Sequence, residues 1–146
     1  MYHVVYLGLG SNLGDREANI SHAIAMIAEQ AGDVVRQSAL YYSEPWGFES
    51  EHTFVNVVVC IHTSLTPHQL LRATQRIERQ MGKTKVHATE HNSTPVYHDR
   101  PIDIDILLYD DITLSTPTLT IPHPLMQQRP FVMEPLQQIM DSPCTL

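Results

Sequence analysis

The sequence predicts an α+β sandwich, and three observations carry the prediction. A valine-dense run at 54–63 has the composition of a strand. Two segments, one after the first strand-like run and one after the valine-dense run, repeat apolar residues at helical spacing. In chain order the elements read βαββαβ with C-terminal additions, the arrangement of a ferredoxin-like antiparallel sheet backed by helices.

The elements follow in order. His3 to Leu9 is β-rich and ends in Gly8-Leu9-Gly10, read as a tight turn from strand to helix. Ile20, Ala23, Ile24, Ile27 and Ala31 mark a helix, and Gly32 stands where a C-cap belongs. Val34 to Tyr42 reads as the second strand, and 43–52, with Pro45 and Gly47, as a loop. Phe54 to Thr63 is the third strand. Thr66-Pro67-His68-Gln69 starts a helix: Thr66 caps, Pro67 suits the first turn, and Gln69 stands three residues after the cap. Leu70, Thr74, Ile77 and Met81 share one face, and Gly82 ends it. The stretch 83–100 has no apolar period, and a loop of about 18 residues tends to be a functional lid or disordered. Ile102, Ile104, Ile106 and Leu108 line one face of a fourth strand, Asp110-Asp111 turns the chain, a short strand lies near Leu119 to Ile121, and a last helix runs from about Phe131 to Met140. With no internal repeat or linker, residues 1–146 are expected to form one domain.

Composition removes several classes. Apolar residues make up 42%, enough for one core, but no apolar stretch approaches the roughly 18 residues of a spanning helix. The start, Met1-Tyr2-His3-Val4, lacks the pattern of a signal peptide. Cys60 and Cys144 have no metal spacing. The expectation is a cytoplasmic protein without membrane contact. A net charge of −7 argues against a nucleic-acid partner, whose phosphates call for a basic surface.

Several motifs match only by spelling. Gly8-x-Gly10 lacks the third glycine of a dinucleotide fingerprint, because Leu13 occupies that position. Gly82-Lys83-Thr84 resembles the end of a P-loop, but Ile77 stands where the first glycine belongs and a helix precedes it. His87-Ala88-Thr89-Glu90-His91 has the spacing of an inverted zinc peptidase; in a polar stretch without an apolar helix face, a solvated loop is favoured and a metal site is the lesser alternative.

The informative segment is Arg100-Pro101-Ile102-Asp103-Ile104-Asp105. Strand side chains alternate, so Asp103 and Asp105 share the face opposite the isoleucines, with Cα atoms about 6.5–7 Å apart. Adjacent carboxylates repel unless cations lie between them. Hard oxygen ligands suit Mg²⁺, with nucleotide phosphates completing its shell. Arg100 is placed to meet the same phosphates through its forked donors.

Four segments, in this order, resemble the 6-hydroxymethyl-7,8-dihydropterin pyrophosphokinase family of folate synthesis. They are Tyr6 to Gly14 (YLGLGSNLG), Tyr42 to Gly47 (YSEPWG) with Phe54 to Asn56 (FVN), Arg100 to Asp105 (RPIDID), and Ile121 to Phe131 (IPHPLMQQRPF). The resemblance implies a ferredoxin-like fold and transfer of diphosphate from ATP to a reduced pterin by a monomer. It implies that Asp103 and Asp105 hold two Mg²⁺ ions and that Arg100 joins them in catalysis. Gln75, Glu78, Lys83, Lys85, Arg100, Ile106, Thr120, His123 and Arg129 fall at nucleotide-side positions. Ser43, Glu44, Pro45 and Trp46 fall at the pterin edge, Phe54 and Phe131 sandwich its ring, and the Asn56 amide, donor and acceptor at once, reads its edge. The chain departs from some members at several places: Lys83 and Lys85 stand where arginines occur, the 86–99 loop lacks a tryptophan whose aromatic place falls to Tyr97, Pro124 follows His123 where an aromatic can occur, and Thr118 occupies a position that can be basic. Two other classes compete, a metal-dependent phosphohydrolase and a ligand-sensing or RNA-binding module. The first has no need of Phe54, Asn56 and Phe131, and the acidic charge and paired aspartates argue against RNA.

Overall fold

In the computed structural model, residues 2–43, 53–82 and 101–140 are described. The elements are β1 (His3–Ser11), α1 (Arg16–Gln30), β2 (Asp33–Gln37), β3 (Tyr41–Ser43), β4 (Phe54–Thr63), α2 (Pro67–Gln80), β5 (Asp103–Tyr109), β6 (Leu114–Ser115), β7 (Thr120–Ile121) and α3 (Pro130–Met140), with a 3-10 turn at Met126–Gln128. The main sheet has the order β2-β4-β1-β5, all antiparallel, and β3 also pairs with β4. This is the expected ferredoxin-like topology.

The starts of α1 and α2 are built as their sequences dictate. Asp15 caps α1 by accepting from the Ala18 N–H at 3.1 Å. At α2 the Thr66 hydroxyl accepts from Gln69 N and the Gln69 side chain accepts from Thr66 N, a complete capping box. Thr66→Ala removes one of these bonds and is expected to lower stability by about 1 kcal/mol in urea denaturation.

Alternation along the strands sorts their side chains into two cores. Val5, Leu7 and Leu9 of β1, Val55, Val57, Val59 and Ile61 of β4, and Ile104 and Ile106 of β5 meet Ile20 and Ile27 of α1 and Leu70 and Ile77 of α2. The C-terminal addition covers the other face, where Val58, Cys60 and Leu107 meet Met126 and, from α3, Val132, Leu136 and Ile139. Among the described residues, no helix is long and apolar enough to cross a membrane.

Four expectations change. The second strand is two, because its ladder with β4 shifts between Val34 and Arg36 and gives way at Ser38, whose N–H and hydroxyl bond the Val58 backbone at 2.9 and 3.0 Å. Gly8 and Gly10 lie inside β1, and the chain leaves the strand later, through Gly14 at φ 71°. Gly32 is not in the left-handed region; it is needed because a Cβ there would lie 2.3 Å from the His62 carbonyl oxygen. A register shift between Tyr6 and Leu7 places Leu107 in the α3-side core and Leu108 against it, so the apolar face of β5 does not continue to Leu108.

Candidate active site

The site begins with two glycines in the middle of a sheet. Gly10 pairs with Asn56 on one side and Asp103 on the other, while Gly8 pairs with Val58 and Asp105. Alternation turns these positions toward α3. Two adjacent rows therefore have no side chain at their centre, which leaves a trough between β4 and β5. A Cβ on Gly10 would lie 3.1 Å from Asn56 Oδ1 and 3.4 Å from the Phe54 ring. His123, Arg129, Phe131 and Val132 complete the pocket over this floor.

One wall is aromatic and amide. Phe54 and Asn56 are nearly buried. The Asn56 Nδ2 donates to the Tyr41 carbonyl at 3.0 Å and to Ser43 Oγ at 2.8 Å. A carbonyl only accepts, so the nitrogen must face Tyr41, and Oδ1 is left over Gly10. The amide expected to donate and accept presents an acceptor alone.

The other wall is charged. Asp105 Oδ2 lies 3.9 Å from His123 Nε2 and 3.9 Å from Arg129 Nη1, near enough for attraction and too far for a hydrogen bond. Arg129 is largely buried, with its guanidinium carbon 5.7 Å from the centre of the Phe131 ring, in cation–π range. Burial holds the His123 imidazole below its ordinary pKa; the Arg129 cation pushes the same way and Asp103 opposes. The balance favours the neutral ring. Its Nδ1 accepts from the Leu125 N–H at 3.2 Å, which leaves the proton on Nε2, facing Asp105.

Among the described residues no three His, Cys, Asp or Glu side chains gather as metal ligands. Two neighbouring carboxylates facing an open trough fit Mg²⁺, which keeps waters and takes one or two carboxylates together with phosphate oxygens. They do not fit a closed four-ligand zinc site.

The pocket brings together Phe54, Asn56, Asp103, Asp105, His123, Arg129 and Phe131. Ser43 joins through Asn56. Ile106 points into the helix-side core, while Gln75 and Thr120 are exposed on α2 and β7. Glu78 is buried and accepts from the Ile104 N–H at 2.7 Å, which ties α2 to the start of β5. Glu44, Pro45, Trp46, Lys83, Lys85, Tyr97, Arg100 and the His87–His91 motif lie outside the described residues. Sequence reasoning missed Gly8, Gly10 and Tyr41. The available signal was two glycines at strand spacing, which share one face.

Residues 6–141 match the family described as 7,8-dihydro-6-hydroxymethylpterin-pyrophosphokinase. The chain is 47% identical over 137 residues to the 2-amino-4-hydroxy-6-hydroxymethyldihydropteridine pyrophosphokinase of Porphyromonas gingivalis, covering 93% of this chain and 90% of that one. It is 39% identical over 140 residues to the protein of that name from Bacillus subtilis, covering 95% and 79%. Among solved structures, an HPPK-DHPS in complex with substrates superposes with a TM-score of 0.69 at 16% identity, over 96% of this chain. Plasmodium falciparum HPPK-DHPS with pteroate gives 0.71 at 16% identity, over 94%. The chain spans about 40% of the length of those two structures, and their likeness supports the fold alone.

Proposed function

The chain belongs to the 7,8-dihydro-6-hydroxymethylpterin-pyrophosphokinase family, and on that premise we propose that it transfers diphosphate from ATP to 6-hydroxymethyl-7,8-dihydropterin in folate biosynthesis. The observation that carries this reading is the two-sided trough: an aromatic and amide wall and a charged wall, separated only by Gly8 and Gly10. Such a floor lets a flat ring on one side bring its hydroxymethyl arm to a phosphate on the other.

The hydroxymethyl oxygen attacks the β-phosphorus of ATP. That O–P bond forms as the bond from the β-phosphorus to the α,β-bridging oxygen breaks, AMP leaves with the electron pair, and the hydroxyl proton is released to solvent. Positioning and charge neutralisation dominate such transfers. Asp103 and Asp105 would hold Mg²⁺, two ions, whose chemistry is to neutralise phosphate charge. Arg129 adds a fixed cation beside them, and neutral His123 offers its Nε2–H to a phosphate oxygen. Arg100, Lys83, Lys85, Gln75, Glu78, Ile106 and Thr120 belong to the nucleotide side in this reading. On the pterin side, Phe54 and Phe131 stack on the ring, Asn56 Oδ1 accepts from an edge N–H, and Ser43 to Trp46 contribute backbone contacts. The proposal extends to one domain over 1–146, monomeric and cytoplasmic.

The test is AMP release from ATP and Mg²⁺ with and without the pterin. Release that depends on the pterin and matches pterin diphosphate formed supports the transfer. Equal hydrolysis without pterin points instead to a phosphohydrolase. Within the site, Asn56→Ala leaves a ligand N–H unpaired, at about 1–3 kcal/mol, and is expected to raise the pterin KM by roughly 5- to 150-fold. Phe54→Leu, which loses stacking worth ~1 kcal/mol, raises it less. Both spare the ATP KM. A rise in the ATP KM alone would mean that the two substrates had been assigned to the wrong walls.

A further inference from the structure

On the sheet face away from the pocket, the first turn of α1 touches β3 and the residue that leads into β4, the two strands that carry the aromatic and amide wall. Arg16 Nη1 donates to the Thr53 carbonyl at 2.7 Å and to Thr53 Oγ1 at 2.6 Å. The next residue, Glu17, accepts from the Tyr42 hydroxyl. Thr53 directly precedes Phe54, and Tyr42 directly precedes Ser43. Two consecutive residues thus grip the chain on either side of 44–52.

What they grip is short. The β3–β4 ladder has three pairs, Tyr41 with Asn56, Tyr42 with Val55 and Ser43 with Phe54. Alternation sends Tyr42 and Val55 toward α1 and turns Tyr41, Ser43, Phe54 and Asn56 to the pocket. A ladder of this length holds its register weakly by itself. The Asn56 amide is oriented by Tyr41 and Ser43, so any drift of β3 against β4 carries the acceptor away. Arg16 is also a poor choice for helix stability, because the first turn of a helix disfavours a cation. Its side chain finds its partner in Thr53 instead.

We propose that Arg16 and Glu17 are positioning residues, a brace from α1 that keeps Phe54 and the Asn56 amide in ligand-binding register without touching the substrate. This rests on assigning that wall to the pterin. Arg16→Met keeps the side-chain stem and removes the donors. It is expected to raise the pterin KM about tenfold, with kcat and the ATP KM within about twofold of the parent. Arg16→Lys, which retains a cationic donor, restores most of the loss. A role in stability alone predicts the opposite pattern: a lower Tm and a reduced active fraction, with both KM values unchanged. That pattern, or equal rises in both KM values, overturns the brace. If Arg16→Met does not fold, Tyr42→Phe decides, since that ring is exposed. A pterin KM raised about threefold supports the brace, and an unchanged one overturns it. An unmodified enzyme without pterin-dependent AMP release overturns the functional reading and this one together, whereas normal parent turnover with an indifferent Arg16→Met overturns the brace alone.

Discussion

Asp105→Asn and Asp103→Asn should each abolish pterin-dependent AMP release while leaving the fold intact. Both carboxylates face the trough from one strand, beside the Gly8 and Gly10 rows. An amide keeps the shape and loses the charge that binds Mg²⁺ strongly. Metal stabilisation of phosphate charge is worth several kcal/mol, so turnover should fall by about a thousandfold or more. Neutralising one of two like charges relieves repulsion, while Asp105→Asn also gives up the attraction to Arg129, so the Tm should stay close to that of the parent. The decisive measurement is kcat at saturating Mg²⁺, paired with a melting curve. Near-parental turnover in either variant would remove that aspartate from the metal site. A large loss of Tm would instead make the carboxylate structural.

Gly10→Val is expected to eliminate activity by a different route, with ATP binding retained. The position lies in an antiparallel strand without positive φ, and valine suits such a backbone. Its first carbon already approaches Asn56 Oδ1 to 3.1 Å and the Phe54 ring to 3.4 Å, and the two methyl groups must go into the trough. The substitution therefore fills the passage between the two walls. Pterin binding by calorimetry should weaken roughly thirtyfold or more, because overpacking a fitted site costs about 1–3 kcal/mol and blocking the Asn56 acceptor costs about as much again. Gly10→Ala, which adds only the tight first carbon, should fall between. Normal pterin affinity in Gly10→Val would show that the ring does not lie over this floor.

Much of the fold was legible because its causes are local. The capping box at Thr66 needs only Gln69, three residues on. The burial of Ile20, Ala23 and Ile27 follows from helical spacing, and the shared face of Asp103 and Asp105 from strand alternation. His123, Arg129 and Phe131 were identified by family resemblance, since nothing within a few residues of them points to a pocket.

What only the tertiary structure decided depends on partners far along the chain. β2 gives way at Ser38 because the Ser38 hydroxyl accepts from the Val58 N–H, twenty residues away. Gly32 is glycine because the His62 carbonyl comes to lie against it. Asn56 presents oxygen because Tyr41 and Ser43 occupy its nitrogen. Gly8 and Gly10 form a pocket floor because β4 and β5 flank β1. By itself, the sequence determined the α+β class, the start of the second helix, the paired aspartates and, through four matched segments, the family. Pairing register, side-chain orientation and the empty centre of the trough arise only when distant strands meet, because each is a contact whose two halves carry no local signal of one another.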